Sequence, residues 1–212
     1  MSKKTTQEKT KTLVQFSMMV AIEAIFCFTP LGSLPAFGPI VMTLAMLPVI
    51  VTAIVLGTKA GTLMGLIAGF FSFCVWTFMP PSPIAFVFTP FYSVGAFSGN
   101  FWSLVICFVP RMLVGLVTGL LFTMFKKAKA NDFFCYSVSG FVGSMMNTLL
   151  VVAGIYLFFG EKYAEACGIG FELLLGLIGT TILTSGIPEA ILGGLVAIGV
   201  GKPLIKYLTK GV

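Results

Sequence analysis

Six long apolar segments, separated by short charged clusters, dominate this sequence and leave few choices of solvent. Only 9% of the 212 residues are charged and 58% are hydrophobic, against about 25% charged residues in a soluble domain. So few charges cannot cover a water-facing surface, and the chain reads as a membrane protein. A membrane-crossing helix needs about 20 apolar residues. Six segments qualify: 11–29, 39–57, 61–79, 102–125, 133–159 and 171–201. Backbone groups in lipid must be satisfied within the segment. The expected fold is therefore an all-α integral membrane protein, one domain forming a six-transmembrane-helix bundle. The last two segments exceed the required length and are expected to tilt or break.

Net charge is +6. Its placement between apolar runs excludes a nucleic-acid surface and points to topology and anionic headgroups. Thirteen residues are lysine or arginine. Six crossings put Lys3, Lys4, Lys9, Lys11, Lys59, Lys126, Lys127, Lys129, Lys202, Lys206 and Lys210 on one side, the cytoplasm. Residues 1–10 form a basic cytoplasmic tail, and both termini are expected to be cytoplasmic. The apolar run after it is longer than a signal-peptide core and lacks a cleavage site, so it reads as a retained first helix. Connections 30–38 and 80–100 then lie outside. Both are rich in proline yet apolar, which suggests that they fold onto the protein.

Histidine is absent, which removes Ser-His-Asp and Cys-His chemistry. The cysteines Cys27, Cys74, Cys107, Cys135 and Cys167 have neither zinc nor disulfide spacing and read as small apolar residues. No nucleotide-binding loop, cofactor motif or metal site is legible. Energy for active transport would have to come from partners or an ion gradient.

Small residues at four-residue spacing let helices approach closely. Gly57, Gly61, Gly65 and Gly69 form such a ladder, and Gly115 and Gly119 repeat it. Close packing within one bundle is the simplest reading. Ser17 and Ala21 make a weaker pair on the first helix.

Embedded polar residues are costly in lipid and normally face the bundle interior. Arg111 lies 15 residues before Lys126, Asn147 14 residues into the fifth segment, and Glu189 13 residues before Lys202. At 1.5 Å per residue all three lie about 20–22 Å from the cytoplasmic side, and Thr43 at about 24 Å. This common level, beneath the outer loops, suits a ligand pocket open to the outside. An internal Arg111–Glu189 pair with Asn147 beside it explains the same pattern. Glu23 is deep in the first helix, and Glu172 lies at an outer end where water can solvate it. Trp76, Tyr92, Trp102 and Tyr156 suit either stacking on a ligand or an interfacial belt.

The chain resembles the substrate-binding S components of energy-coupling factor (ECF) vitamin importers. The resemblance rests on Met46-Leu-Pro-Val-Ile-Val-Thr-Ala-Ile-Val-Leu-Gly57 with Lys59-Ala-Gly61, on Val109-Pro-Arg-Met-Leu-Val-Gly115, on Gly143-Ser-Met-Met-Asn-Thr148 running into Gly154-Ile-Tyr-Leu-Phe-Phe-Gly160, and on Gly186-Ile-Pro-Glu-Ala190. It covers nearly the whole chain and is nearest the pantothenate-type members. It implies a binder, not an enzyme, that docks on one transmembrane coupling subunit and two ATPase subunits. The family's alanine-xxx-alanine pair, which faces the coupling subunit, corresponds here to Ser17 and Ala21. Loops 30–38 and 80–100 would act as lids, and Arg111, Asn147, Glu189, Thr43, Trp76 and Tyr92 would hold the vitamin. Folate, riboflavin, pyridoxine and cobalamin stay open as substrates, as do a membrane-embedded enzyme and a stand-alone secondary transporter.

Overall fold

The computed structural model describes residues 6–29, 33–34, 42–95 and 97–210. Its helices are α1 (Thr6–Phe28), α2 (Met46–Val55), α3 (Thr58–Phe78), α4 (Phe101–Lys127) and α5 (Asp132–Ala166). A last helical segment is built from α6 (Leu174–Thr181), α7 (Ile187–Val196) and α8 (Lys202–Lys210). The described residues also form two antiparallel ladders of two residues per strand: β1 (Ser33–Leu34) with β2 (Met42–Thr43), and β3 (Ser93–Val94) with β4 (Phe97–Ser98).

Among the described residues, five segments are long and apolar enough to cross a membrane: α1, α3, α4, α5 and the run Phe171–Tyr207. The sixth, α2, is shorter than the 39–57 expected. Its ten residues span about 15 Å, half of a hydrocarbon core. Pro48 explains the late start. Proline lacks an N–H and fits only in a helix's first turn, where that donor has no partner anyway. Gly57, at φ 94°, then ends the helix and turns the chain directly into α3. α2 is apolar on every side and, as expected for such a helix, is buried from Met46 to Ile54 except Leu47. It packs against α3, α4, α5 and α7. By contrast α1 lies against α2 and α3 and buries only Glu23 fully.

α3 and α4 approach backbone to backbone. A Cβ added at Gly61 would meet Ala53 and the Gly115 carbonyl, one at Gly65 would enter the Arg111 carbonyl, and one at Gly119 would meet Thr58. The glycine ladder is thus an internal helix seam, except that Gly57 serves the turn instead.

α5 is continuous over 35 residues. The last segment breaks twice, at π-helical turns Ile182–Gly186 and Ala197–Gly201. Each turn ends two residues before a proline, Pro188 or Pro203. A proline cannot donate to the carbonyl four residues earlier, and the ladder slips to a wider turn just before it.

The connection 80–100 does fold onto the bundle. It contains a 3-10 turn, Pro83–Val87, and Ile84 to Thr89 are all buried. Phe86 packs edge-on to Phe159, with centroids 5.9 Å apart. The Ser103 hydroxyl donates to the Phe86 carbonyl at 2.8 Å and accepts the Asn100 N–H at 3.1 Å, while Asn100 Oδ1 caps α4 by accepting from Trp102 N at 2.9 Å. Thr77 and Thr89 share a hydroxyl hydrogen bond of 2.8 Å. The start of α4 therefore clamps the loop in place. Most of the connection 30–38 lies outside the described residues.

Candidate ligand-binding site

Pro110 sits inside α4. It has no N–H for the Ile106 carbonyl, which a regular helix would satisfy from that position. The Arg111 guanidinium does so instead: Nη1 donates to Ile106 O at 2.8 Å. A backbone gap made by one residue thus anchors the side chain of the next. Nη2 donates to Ser72 Oγ of α3 at 3.4 Å, and the guanidinium carbon lies 5.4 Å from the centre of the Phe88 ring. Phe88 stacks on Trp76 at 4.6 Å. The loop and α3 together build an aromatic wall beside the charge.

Arg111 is only 6% exposed, and it lines a partly open cavity. Asn147 and Glu189 line the same cavity, as do Thr148, Thr181 and Ser185, with Trp76, Phe88, Val151 and Val152 as apolar walls. The three polar residues placed at one depth by residue counting therefore meet in one chamber. Asn147 Oδ1 and Arg111 Nε are buried without a hydrogen-bond partner among the described residues. An unmatched buried polar atom costs about 1–3 kcal/mol, so two of them in one cavity wall mark places where a ligand's polar groups would be matched.

Trp76 belongs to the wall as expected. Tyr92 is not among the lining residues; half-buried, it packs on the aromatic cluster around Phe86. Thr43 pairs with Ser33 in the β1–β2 ladder, and its side chain lies outside the described residues. Trp102 is 44% exposed and stacks on Phe158 at 4.0 Å. Glu172 is exposed. Glu23 is fully buried, apart from the cavity lining, and accepts a hydrogen bond from the Cys27 thiol at 3.3 Å.

Thr148, Thr181, Ser185 and Phe88 were not foreseen. Part of the signal was present: Thr181, Ser185 and Glu189 recur every four residues, as do Thr148 and Val152, which puts each set on one helix face. Phe88 carried no such signal, because only the fold of the loop brings it to Arg111.

On α1 the outward face carries Leu13, Val14, Ser17, Met18, Ala21 and Ile25, all exposed. The small pair sits in the middle of this apolar stripe. Among the described residues no group of three or more acidic or cysteine side chains could hold a metal ion.

Comparison with known proteins gave three findings. The family described as "ECF transporter, substrate-specific component" matches residues 11–205. The chain is 33% identical over 173 residues to the pantothenic acid transporter PanT of Lactococcus lactis subsp. cremoris (strain MG1363), covering 81% of this chain and 80% of that protein. The crystal structure of the S-component for biotin from an ECF-type ABC transporter aligns with a TM-score of 0.58 at 16% identity, covering 94% of this chain and 95% of the other. At that identity the last likeness concerns the fold alone.

Proposed function

The chain belongs to the substrate-specific components of ECF transporters, and on that premise we propose that it captures pantothenate outside the cell for uptake driven by ATP-hydrolysing partners. The observation that carries the reading is the cavity that joins a buried arginine, an unmatched Asn147 carbonyl oxygen and a row of hydroxyls to apolar walls. Pantothenate combines a carboxylate, an amide, two hydroxyls and a methyl-bearing carbon. Its carboxylate takes the Arg111 end, through a charge-assisted hydrogen bond. Its hydroxyls and amide lie toward Asn147, Thr148, Ser185 and Glu189, because two carboxylates repel at short range. The methyl groups fit against Val151, Val152 and Trp76. The relationship to a pantothenic acid transporter supports the same substrate.

The work of this subunit is binding, with no bond made or broken. Loop 80–100, which carries Phe88 over Arg111, acts as a lid together with loop 30–38. Tyr92 serves the lid's packing, and Thr43 joins the proposed ligand contacts. The lysine distribution supports an orientation with both termini in the cytoplasm and the lids outside. Ser17 and Ala21, on the exposed face of α1, dock a transmembrane coupling subunit, which in turn carries two ATPase subunits. Small residues there let another helix approach closely.

Radiolabelled pantothenate uptake into vesicles containing the chain, with and without an ECF module, tests the proposal. Uptake is expected only with the module and ATP inside the compartment that holds the ATPases. Uptake that persists without ATPase subunits would overturn the importer-subunit reading.

A further inference from the structure

At the end of the bundle opposite the lids, α1 and α3 flank an open groove. Lys9 and Lys59 line it together with the apolar side chains of Leu13, Phe16 and Leu63. The pattern is the same on both helices. Leu13 follows Lys9 by four residues and Leu63 follows Lys59 by four, so each leucine lies on its lysine's face, one turn deeper. Phe16 lies a further three residues in, about 10 Å beyond Lys9 along the axis.

Lys126 and Lys202 both reach Asp132, at 2.6 and 3.8 Å. Lys9 and Lys59 form no ion pair with a carboxylate among the described residues. Two lysines without a carboxylate partner among the described residues therefore line a groove whose surface is otherwise carbon. Basic pockets between helices at the headgroup level attract anionic lipid, and hydrocarbon continues below that level.

We propose that this groove is a binding site for one anionic phospholipid, whose phosphate bridges Lys9 and Lys59 and whose acyl chain lies along Leu13, Phe16 and Leu63. A soluble phosphate would satisfy the lysines and leave the apolar slot unused; a lipid matches both. Leu13 also belongs to the outward face of α1 that carries Ser17 and Ala21. A lipid held there borders the surface assigned to the coupling subunit. The inference rests on the chain being a membrane-embedded ECF component and is independent of which vitamin it binds.

The test is native mass spectrometry of the purified full chain from micelles containing equal phosphatidylglycerol and phosphatidylcholine. The wild-type chain is expected to retain one phosphatidylglycerol. The double variant Lys9→Gln/Lys59→Gln should lose that lipid by at least about tenfold, with phosphatidylcholine retention and thermal unfolding unchanged. Leu63→Trp fills the slot and leaves both lysines; it should lose the lipid as well. Phosphatidylglycerol retained by the double lysine variant would overturn the proposal. So would retention by Leu63→Trp, which would place the headgroup on the surface, or displacement by glycerol 3-phosphate alone, which would make the site one for soluble anions. Lipid retention unaffected by the lysine substitutions, with binding to the coupling subunit reduced, would make the groove a protein contact and likewise sink the idea.

Discussion

Replacing Pro110 by alanine should make this protein more stable and a weaker binder at the same time. In α4 the Ile106 carbonyl takes its hydrogen bond from Arg111 Nη1 at 2.8 Å because Pro110 has none to give. Alanine restores a backbone N–H at position 110 and removes the clash of the proline ring. A proline in a soluble helix interior costs about 3 kcal/mol. Here Arg111 already offsets part of that, so a gain of about 1–2 kcal/mol is expected. For a chain of this size each kcal/mol moves the melting temperature by about 2–4 °C. The new N–H competes with the guanidinium for the same oxygen. A hydrogen bond to a charged group contributes about 1.5–3 kcal/mol; losing roughly half of that from the positioning of Arg111 weakens an anionic ligand about three- to tenfold. Calorimetric titration with pantothenate and thermal unfolding in the same detergent measure both quantities. A carbonyl oxygen has two lone pairs. If Ile106 accepts both donors, affinity will stay at the wild-type value and the anchoring argument fails. A fall in both stability and affinity would refute it too, since that would mean simple damage to α4.

Arg111→Ala, in a folded sample, should weaken pantothenate by about 2–5 kcal/mol, the loss for truncating one partner of a buried charge pair; unchanged affinity in equilibrium titration would assign Arg111 a structural role. Gly65→Ala drives a methyl group into the Arg111 carbonyl and should cost about 1–3 kcal/mol of stability by overpacking, read as a lower unfolding temperature, with binding impaired because α4 carries Arg111; a neutral result would mean that α3 and α4 are not locked at this seam. The pair Ser17→Leu/Ala21→Leu, on the exposed face of α1, should leave pantothenate binding intact and abolish module-dependent uptake. Loss of binding in that variant would place these residues in the fold of the site, not at the partner surface.

Counting residues brought three polar positions to one level because helix rise is nearly constant. Arg111, Asn147 and Glu189 sit on three different segments, and their distances from the basic clusters brought them to one level; the structure joins them in one cavity. The glycine seam was legible for a similar reason, since four-residue spacing defines a face whatever its partner. Local backbone chemistry was harder to see. Pro48 starts α2 late, and apolar length alone concealed this because the residues before it are equally apolar. Pro188 and Pro203 signal the two π turns, yet a proline in a membrane segment specifies where a hydrogen bond is lost and not how the chain recovers it. The contribution of Phe88 was illegible because it depends on how the 80–100 loop closes over α4. Tyr92 has the same sequence character as Phe88 and lies four residues from it along that loop, yet only Phe88 lines the cavity. Which aromatic of a folded loop faces a cavity is a tertiary outcome with no period to betray it.

Equilibrium binding by the purified chain, titrated in detergent against pantothenate, folate, riboflavin, pyridoxine and cobalamin, tests the central claim most directly. Tight, saturable binding of pantothenate, and of none of the others, is the predicted result. A folded sample that binds another vitamin in its place, or none of the five, would contradict the assignment of the Arg111–Asn147 cavity as a pantothenate site.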